Sequence, residues 1–514
     1  MPSRSKLSLT ALAALASLVA VTSAQCVEAS TDTDLSGCYP TPQTGVEPLT
    51  VLTIGTTANG YATSARGWNT WSIQSLADPN IVPGWDATTA PYLDDASILS
   101  QCSVLATTPF QAAKFTLCSL DGGWSATEVN SDGLIVPNTK ILNITAISDV
   151  LHADGLLLGV YVHPGVPCSA NGKLIPGTDI YANTLFSGQE DQSQCYFNYS
   201  APGIQEWHNA QVALWASYGV DMIKLDFITP GSPLNDGALP CDMSAASTMY
   251  HNAIAASGRP MRLDLSWKPC RNTTWLPFWG QSADAIRTDN DINLYYTNTF
   301  TDWQILQQAF ENYRQYILLQ RAEQIAGHPI VLHPDMDNLL VANNATLSGI
   351  TDDMRVTTMN MFLGASANLV LGGDLNNVDT LGLQLLTSSG SKLAANFFAE
   401  YPMQPRNPGT GDVLPLQLQA WIAGPSAATG EAYVVVANYG PDQGKGGYGT
   451  ALEGVQAVTV SLSDLGLTTA AGYAASYTWR DVWNGNGTSV SATDSFTAYL
   501  NATQSSLFLL APVS

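Results

Sequence analysis

The sequence predicts an α/β protein: a (β/α)8 TIM barrel followed by a C-terminal antiparallel β-sandwich. Three observations predict it. From about residue 60 to 400, short β-branched or apolar runs alternate with longer helical patterns, the signature of βα units and a parallel sheet. Eight candidate strands end near Trp68, Ser119, Val162, Phe227, Ser266, Ile286, Leu332 and Leu371, and eight units suggest a closed barrel. Beyond about residue 413 the helical period disappears, and short alternating strands separated by turn clusters replace it.

The chain opens with Arg4 and Lys6, an apolar stretch from Leu7 to Val21 and the small residues Thr22-Ser23-Ala24, which reads as a signal peptide over 1–24. No later stretch is apolar for long enough to span a bilayer, so a secreted, extracellular protein is expected. Residues 25–60 read as an N-terminal extension. All eight cysteines follow the signal, an even count that suits disulfides in an oxidising compartment. Their order suggests neighbour pairing, starting with Cys26 to Cys38. Sequons at Asn143, Asn198, Asn272, Asn344, Asn486 and Asn501 fit a glycoprotein. With 42 acidic against 19 basic residues the net charge is −23, which argues against nucleic acid and anionic membrane as partners and suits acidic surroundings.

The barrel is expected over 61–405. Typical strand cores are Lys114-Phe115-Thr116-Leu117, Leu156 to Val162, Met222 to Ile228 and Asn368-Leu369-Val370-Leu371. Helices are expected over Gln205–Ser217, over Trp303–Ala326, and after Thr351, whose hydroxyl and following Asp352-Asp353 read as an N-cap with acids in the first turn. The loop from Pro164 to Pro202 is long for a βα connection, and a disulfide through Cys168 and Cys195 would pin it. The Pro- and Gly-rich stretch 401–413 reads as a linker, and 413–514 as the sandwich, with strands near Ala432–Asn438, Val455–Leu462, Ala475–Trp483, Phe496–Leu500 and Ser506–Leu510.

The strand ends hold polar and aromatic residues that packing does not require. Trp68-Asn69-Thr70-Trp71 follows the first, Asp121-Gly122-Gly123-Trp124 the second, Tyr161 and His163 the third, and Lys224 and Asp226 the fourth. Ser266 and Trp267 end the fifth, Arg287 to Asp291 the sixth, His333-Pro334-Asp335 the seventh and Gly373-Asp374 the eighth. Lys224 and Asp226, two apart on a strand, share a face, and an ammonium so close favours an ionised carboxylate. By themselves they also fit a plain ion pair; together with the other strand ends they mark the active-site face of a barrel. Carboxylates with aromatic rings suit a sugar, and Asp226 and Asp291 are candidates for the paired carboxylates of glycoside hydrolysis. No metal-ligand spacing, Gly-x-Ser-x-Gly elbow or dinucleotide loop occurs, so no metal or cofactor is expected.

These motifs resemble glycoside hydrolase family 27, the α-galactosidase and α-N-acetylgalactosaminidase family of clan D. The matching stretches are Gly67-Trp68-Asn69-Thr70-Trp71, Gly219 to Asp226, Arg287-x-x-x-Asp291-Ile292, Pro334-Asp335-Met336, and Thr351-Asp352-Asp353 through Gly372-Gly373-Asp374-Leu375, with Tyr477 to Trp483 in the sandwich. The resemblance implies Asp226 as nucleophile, Asp291 as general acid/base and a retaining mechanism. Asp289 competes for the acid role because both could reach the same face of an extended segment, and the Arg-x-x-x-Asp spacing favours Asp291. It implies an oligo- or polysaccharide substrate held by Trp71, Asp121, Tyr161, Lys224, Ser266, Trp267, Arg287 and Asp335. The chain also departs from the pattern. Gly122 stands where the family usually has a second aspartate, Val331-Leu332-His333 replaces Trp-Asn-Asp, and Phe227 to Pro233 replaces a Gly- and Cys-containing turn. Ser266 is shared with the N-acetylgalactosaminidases. The expected activity is hydrolysis of terminal α-galactosyl-type residues. The alternatives are a clan relative cutting α-N-acetylgalactosamine or β-L-arabinopyranose, or a non-catalytic carbohydrate-binding protein.

Overall fold

The computed structural model describes residues 38, 46–76, 94–191, 193–232, 239–483, 490–492 and 495–513. The expected signal peptide, Cys26 and the Asn486 sequon lie outside the described residues. Among those described, no helix is long and apolar enough to cross a membrane.

The strands in chain order are β1 (Arg66–Asn69), β2 (Leu117–Leu120), β3 (Leu157–Val162), a loop sheet of β4 (Gly165–Pro167), β5 (Phe186–Asp191) and β6 (Gln194–Phe197), then β7 (Val220–Leu225), β8 (Arg262–Leu265), β9 (Ala285–Arg287), β10 (His333–Asp335) and β11 (Leu369–Leu371). Eight of them form one parallel sheet in the order β10-β9-β8-β7-β3-β2-β1-β11. Its two edge strands are tied together by the Asn368 amide, which donates to Pro334 O at 3.0 Å, and by a parallel bridge between Leu339 and Leu371. The Asn368 side chain reaches other strands, accepting from Ala65 N, just before β1, at 3.0 Å and donating to Asp264 Oδ2 of β8 at 3.1 Å. The expected eight-stranded barrel is therefore observed. Its seventh strand runs over His333–Asp335 instead of ending near Leu332.

The helices begin where local chemistry directs. The Thr351 hydroxyl accepts from Met354 N and opens Asp352–Gly364; the Asp302 carboxylate caps Trp303–Ile325 through Ile305 N at 2.9 Å. Ile204–Ser217 buries Trp207, Val212 and Trp215 against the barrel. The long loop after β3 folds into its own antiparallel sheet, β4-β6-β5, and the Cys168–Cys195 disulfide joins it as expected.

Two other expectations are corrected. Cys102 pairs with Cys118 as neighbours, but Cys38 pairs with Cys270 across 232 residues. The N-terminal segment is carried to the loop after β8, where Arg271 N also donates to Cys38 O, so proximity in space overrides order in sequence. Cys241 is disulfide-bonded as well. The stretch read as a linker is no loose tether: Tyr401 to Asn407 is buried, and Gln404–Pro405 forms β12, paired to β13 (Leu418–Ala423).

β14 (Ala432–Asn438), β15 (Gln456–Ser461), β16 (Tyr477–Asp481), β17 (Val490–Ala492), β18 (Ser495–Leu500) and β19 (Ser505–Pro512) complete the C-terminal unit. It has a six-stranded sheet, β12-β13-β14-β19-β16-β17, over the pair β15-β18. Period-2 alternation gives β14 two buried faces: Val434 and Val436 join the sandwich core, while Tyr433, Val435 and Ala437 join the barrel's core.

Candidate active site

A cavity of about 470 Å³ opens at the C-terminal ends of the barrel strands. Of the sequence-predicted residues, Asp226, Asp291, Trp71, Asp121, Tyr161, Lys224 and Trp267 all line it. Ser266, Arg287 and Asp335 do not; they lie buried beneath, where they support the lining residues.

The strand-end pair differs from the expected one. β7 ends at Leu225, and Asp226 follows it, held by its amide to Val162 O at 2.9 Å. The Lys224 ammonium bonds Asp121 Oδ2 at 2.7 Å, so its ion pair is with Asp121 at the end of β2, across the intervening β3, and not with Asp226. Burial opposes the Lys224 charge, but Asp121 and then Asp226 outweigh it and hold the ammonium firmly protonated. Asp121 is further fixed by Asn69 Nδ2 at 3.2 Å, and its amide donates to Thr70 Oγ1 at 2.9 Å, which accounts for two polar residues of the first motif.

Asp226 sits on a strained turn. Phe227, the next residue, has φ 56°, and its amide donates back to Asp226 Oδ1 at 2.9 Å. Its ring stacks on His163 at 4.7 Å and meets Trp267 edge-on at 5.4 Å. Burial pushes Tyr161 well above its usual range and keeps it protonated; burial also lowers His163 and keeps it neutral. Tyr161 Oη lies 2.9 Å from His163 Nε2, and the charge of the nearby Asp226 adds to the upward push on the tyrosine.

Asp291 is gripped from three sides. Arg287 Nη2 donates to its Oδ1 at 2.9 Å, Trp71 Nε1 to its Oδ2 at 3.0 Å, and the Tyr295 hydroxyl also to Oδ2. Burial pushes this carboxyl up, but Arg287, Lys224 and the bonds from Tyr295 and Arg287 outweigh it and hold it below the usual range. Asp289 is elsewhere: it faces Lys268 Nζ at 3.6 Å and Asn312, and does not line the cavity.

His163, noted in the sequence at the end of the third strand, lines the cavity, while Tyr295, which also lines it, and Asp337 were missed. Asp337 bonds Arg287 Nη1 at 3.3 Å and accepts from Ile292 N at 2.7 Å, and burial pushes it up to about 6. Position 337, two beyond Asp335, could have drawn notice as another acid at a strand end. Gly122 has open space where a Cβ would stand.

A larger cavity, about 610 Å³, opens at the opposite end of the strands, but Asp221 is the one carboxylate in its lining and is engaged by Arg259 and His152. Among the described residues, one cluster has metal-ligating side chains, Cys168, Glu190 and Cys195, and its two thiols are consumed by the disulfide.

Comparison with known proteins defines the class. The model of the α-galactosidase C-terminal β-sandwich domain matches residues 417–510. The chain is 48% identical over 483 residues to α-galactosidase 3 of Hypocrea jecorina, covering 93% of this chain and 76% of that protein. Solved structures share the fold: a family 27 β-L-arabinopyranosidase from Geobacillus stearothermophilus (TM-score 0.69, 18% identity, 88% of this chain and 97% of that one) and α-galactosidase I from Mortierella vinacea (TM-score 0.60, 16% identity, 88% and 98%). The protein is a glycoside hydrolase, and a non-catalytic binding protein is set aside. Within that class it belongs to glycoside hydrolase family 27.

Proposed function

We propose that the protein is a secreted, retaining α-glycosidase that removes terminal α-galactosyl-type residues from oligo- or polysaccharides. The observation that carries this reading is that Asp226 and Asp291, from different strand ends, face one cavity together with Trp71, Tyr161 and Trp267. Asp226 attacks the anomeric carbon as Asp291 gives its proton to the departing glycosidic oxygen, which forms a covalent glycosyl-enzyme. Asp291 then takes a proton from water, which attacks the same carbon and releases the sugar with its original configuration. Asp121 and Lys224, already paired at 2.7 Å, offer an acceptor and donors to adjacent sugar hydroxyls. Arg287 does not touch the sugar in this reading; it orients Asp291. The three disulfides described fit an oxidising, extracellular setting.

The test is NMR of the first product from an α-galactoside. α-Galactose is expected; β-galactose, or no turnover of any α-glycoside, overturns the reading. Asp226→Asn is expected to abolish turnover while sugar binding persists, measured by calorimetry.

Gly122 favours a second reading, another sugar of the same clan. Its open space leaves a hydroxyl of galactose without the usual acceptor, and unmade hydrogen bonds shift selectivity strongly. Comparison of kcat/KM across nitrophenyl α-galactoside, α-N-acetylgalactosaminide and β-L-arabinopyranoside decides between them.

A further inference from the structure

The cavity of about 610 Å³ at the opposite end of the barrel strands has the size of a ligand site, and its chemistry is unlike the rest of the chain. Four of the protein's 19 basic residues line it, Arg66, Lys114, Arg259 and Arg262, although the net charge is −23. Its floor is apolar. Ala65, Leu117 and Met222, at the starts of β1, β2 and β7, belong to one buried cluster that closes the barrel interior, and Leu157 at the start of β3 is left 38% exposed in the same wall.

The fold does not neutralise these cations. Among the described residues one of the four is in an ion pair, Arg259 with Asp221 at 2.5 Å. Arg66 donates to backbone, to Ala113 O at 3.2 Å and Ala395 O at 3.3 Å. Arg262 donates to Thr63 O at 2.9 Å and lies 3.9 Å over the Tyr61 ring. Asp284, the carboxylate whose charge acts most on Arg262, is taken up by Thr57, Asn59 and Leu263 N. Burial pushes both guanidiniums down, and the charge of Arg262 adds to the push on Arg66. Like charges gathered around an apolar hollow raise the free energy of the folded chain, and a bound anion removes that cost. Burial also pushes Tyr61 up to about 12, so it stays neutral and sets no charge of its own against an anion.

The backbone adds a second, independent observation. Lys114 follows the helix Thr108–Ala112 with φ 62°. Glycine takes this conformation freely, whereas a lysine there costs free energy and sets an ammonium at the cavity rim. We infer that this cavity binds an amphiphilic anion, a carboxylate carried on an apolar body, with its head at Arg66, Lys114 and Arg262 and its body on Leu117, Leu157 and Met222. An inorganic anion would satisfy the charges and leave the apolar floor wet; an uncharged hydrocarbon would do the reverse. Catalysis in a barrel of this kind belongs to the C-terminal face, so this site binds without catalysing and stands independently of the proposed function.

Isothermal titration calorimetry of the whole protein with octanoate, 1-octanol and inorganic phosphate tests the site. One octanoate per chain is expected, at least about tenfold tighter than either other probe, because each of those lacks one half of the match. Lys114→Gly removes a cation and relieves the backbone, so it should melt no lower than the wild type and weaken octanoate about two- to fivefold. Arg262→Met keeps an apolar stem and removes the guanidinium, and a loss of about tenfold is expected. Galactose should leave the titration unchanged. No saturable octanoate binding below about 5 mM overturns the site, and so does an affinity unmoved in both variants. Phosphate or octanol bound as tightly as octanoate overturns the amphiphile. Displacement by galactose would put the octanoate in the cavity of Asp226 and overturn the second site.

Discussion

At the scale of single residues, the chemistry of the site turns on how Asp291 is held. Burial is outweighed by Arg287, Lys224 and donors from Tyr295 and Arg287, so its carboxyl titrates below the usual range. A general acid must be protonated in the free enzyme for kcat/KM to be high, and the protonated fraction falls as pH rises through its pKa. The proposed mechanism therefore predicts an acidic optimum, with kcat/KM declining toward neutrality; a profile flat from pH 4 to 7 would count against Asp291 as the acid. Tyr295→Phe removes a hydrogen bond made to the ionised form, so the descending limb should move to higher pH, and a pH series of kcat/KM on the variant reads this out. Asp226, Asp291, Asp121 and Lys224 were legible in the sequence because barrel strands deliver polar residues at fixed places. The bond from Lys224 to Asp121 was not, because it joins strands 103 residues apart. Nor was Tyr295, which reaches Asp291 only because the loop after β9 turns back over the cavity.

At the scale of elements, glycines and the flap show what the motifs are for. Gly67 reads as part of a sugar-site motif, yet its role is in the sheet: a Cβ there would stand 2.0 Å from Leu117 O, where β1 pairs with β2. Gly67→Ala should cost at least about 3 kcal/mol, the upper end of overpacking penalties, because backbone cannot yield as a side chain can. Chemical denaturation would measure it, and a loss under 1 kcal/mol would show that the strands can separate. The β4-β6-β5 flap brings Pro167, Asp191 and Gln194 to the cavity wall, and its disulfide closes a loop of 27 residues. The chain-entropy model gives that link about 3 kcal/mol. Replacing both Cys168 and Cys195 by Ser should therefore loosen the wall and raise KM more than it lowers kcat. The long loop and its disulfide could be read from the sequence, but its sheet could not, since strands as short as Gly165–Pro167 carry too little pattern. For the same reason the two-residue β12 was hidden in the proline-rich stretch, and Cys38–Cys270 by the length of chain between.

At the scale of the whole molecule, the barrel and the sandwich share a core, so they should fold together. Trp421, on the barrel-facing side of β13, is 1% exposed and stacks on Tyr313 of the Trp303–Ile325 helix at 5.7 Å, while its indole donates to Tyr439 Oη at 3.0 Å. Tyr439 O in turn accepts from Trp303 Nε1 at 2.9 Å. On the Asp352–Gly364 helix, Thr357 donates to Thr503 O at 2.7 Å, and Asn360 bonds both Ser505 Oγ and Trp483 Nε1. These are buried, hydrogen-bonded contacts of the kind that fill a domain interior, unlike the polar and smaller surface between mobile domains. The alternation of β14 shows why a linker was the wrong expectation for 401–413: a strand with two buried faces needs a partner on each, and the second partner is the barrel. Calorimetry should therefore show one unfolding transition and not two. Trp421→Ala should destabilise the protein by about 3–5 kcal/mol through the cavity it opens. Activity should be lost at the same lowered temperature as both units unfold, although the substitution is far from Asp226 in the chain. If the sandwich melted separately while the barrel kept its activity, the shared core would be a contact and not a condition for folding.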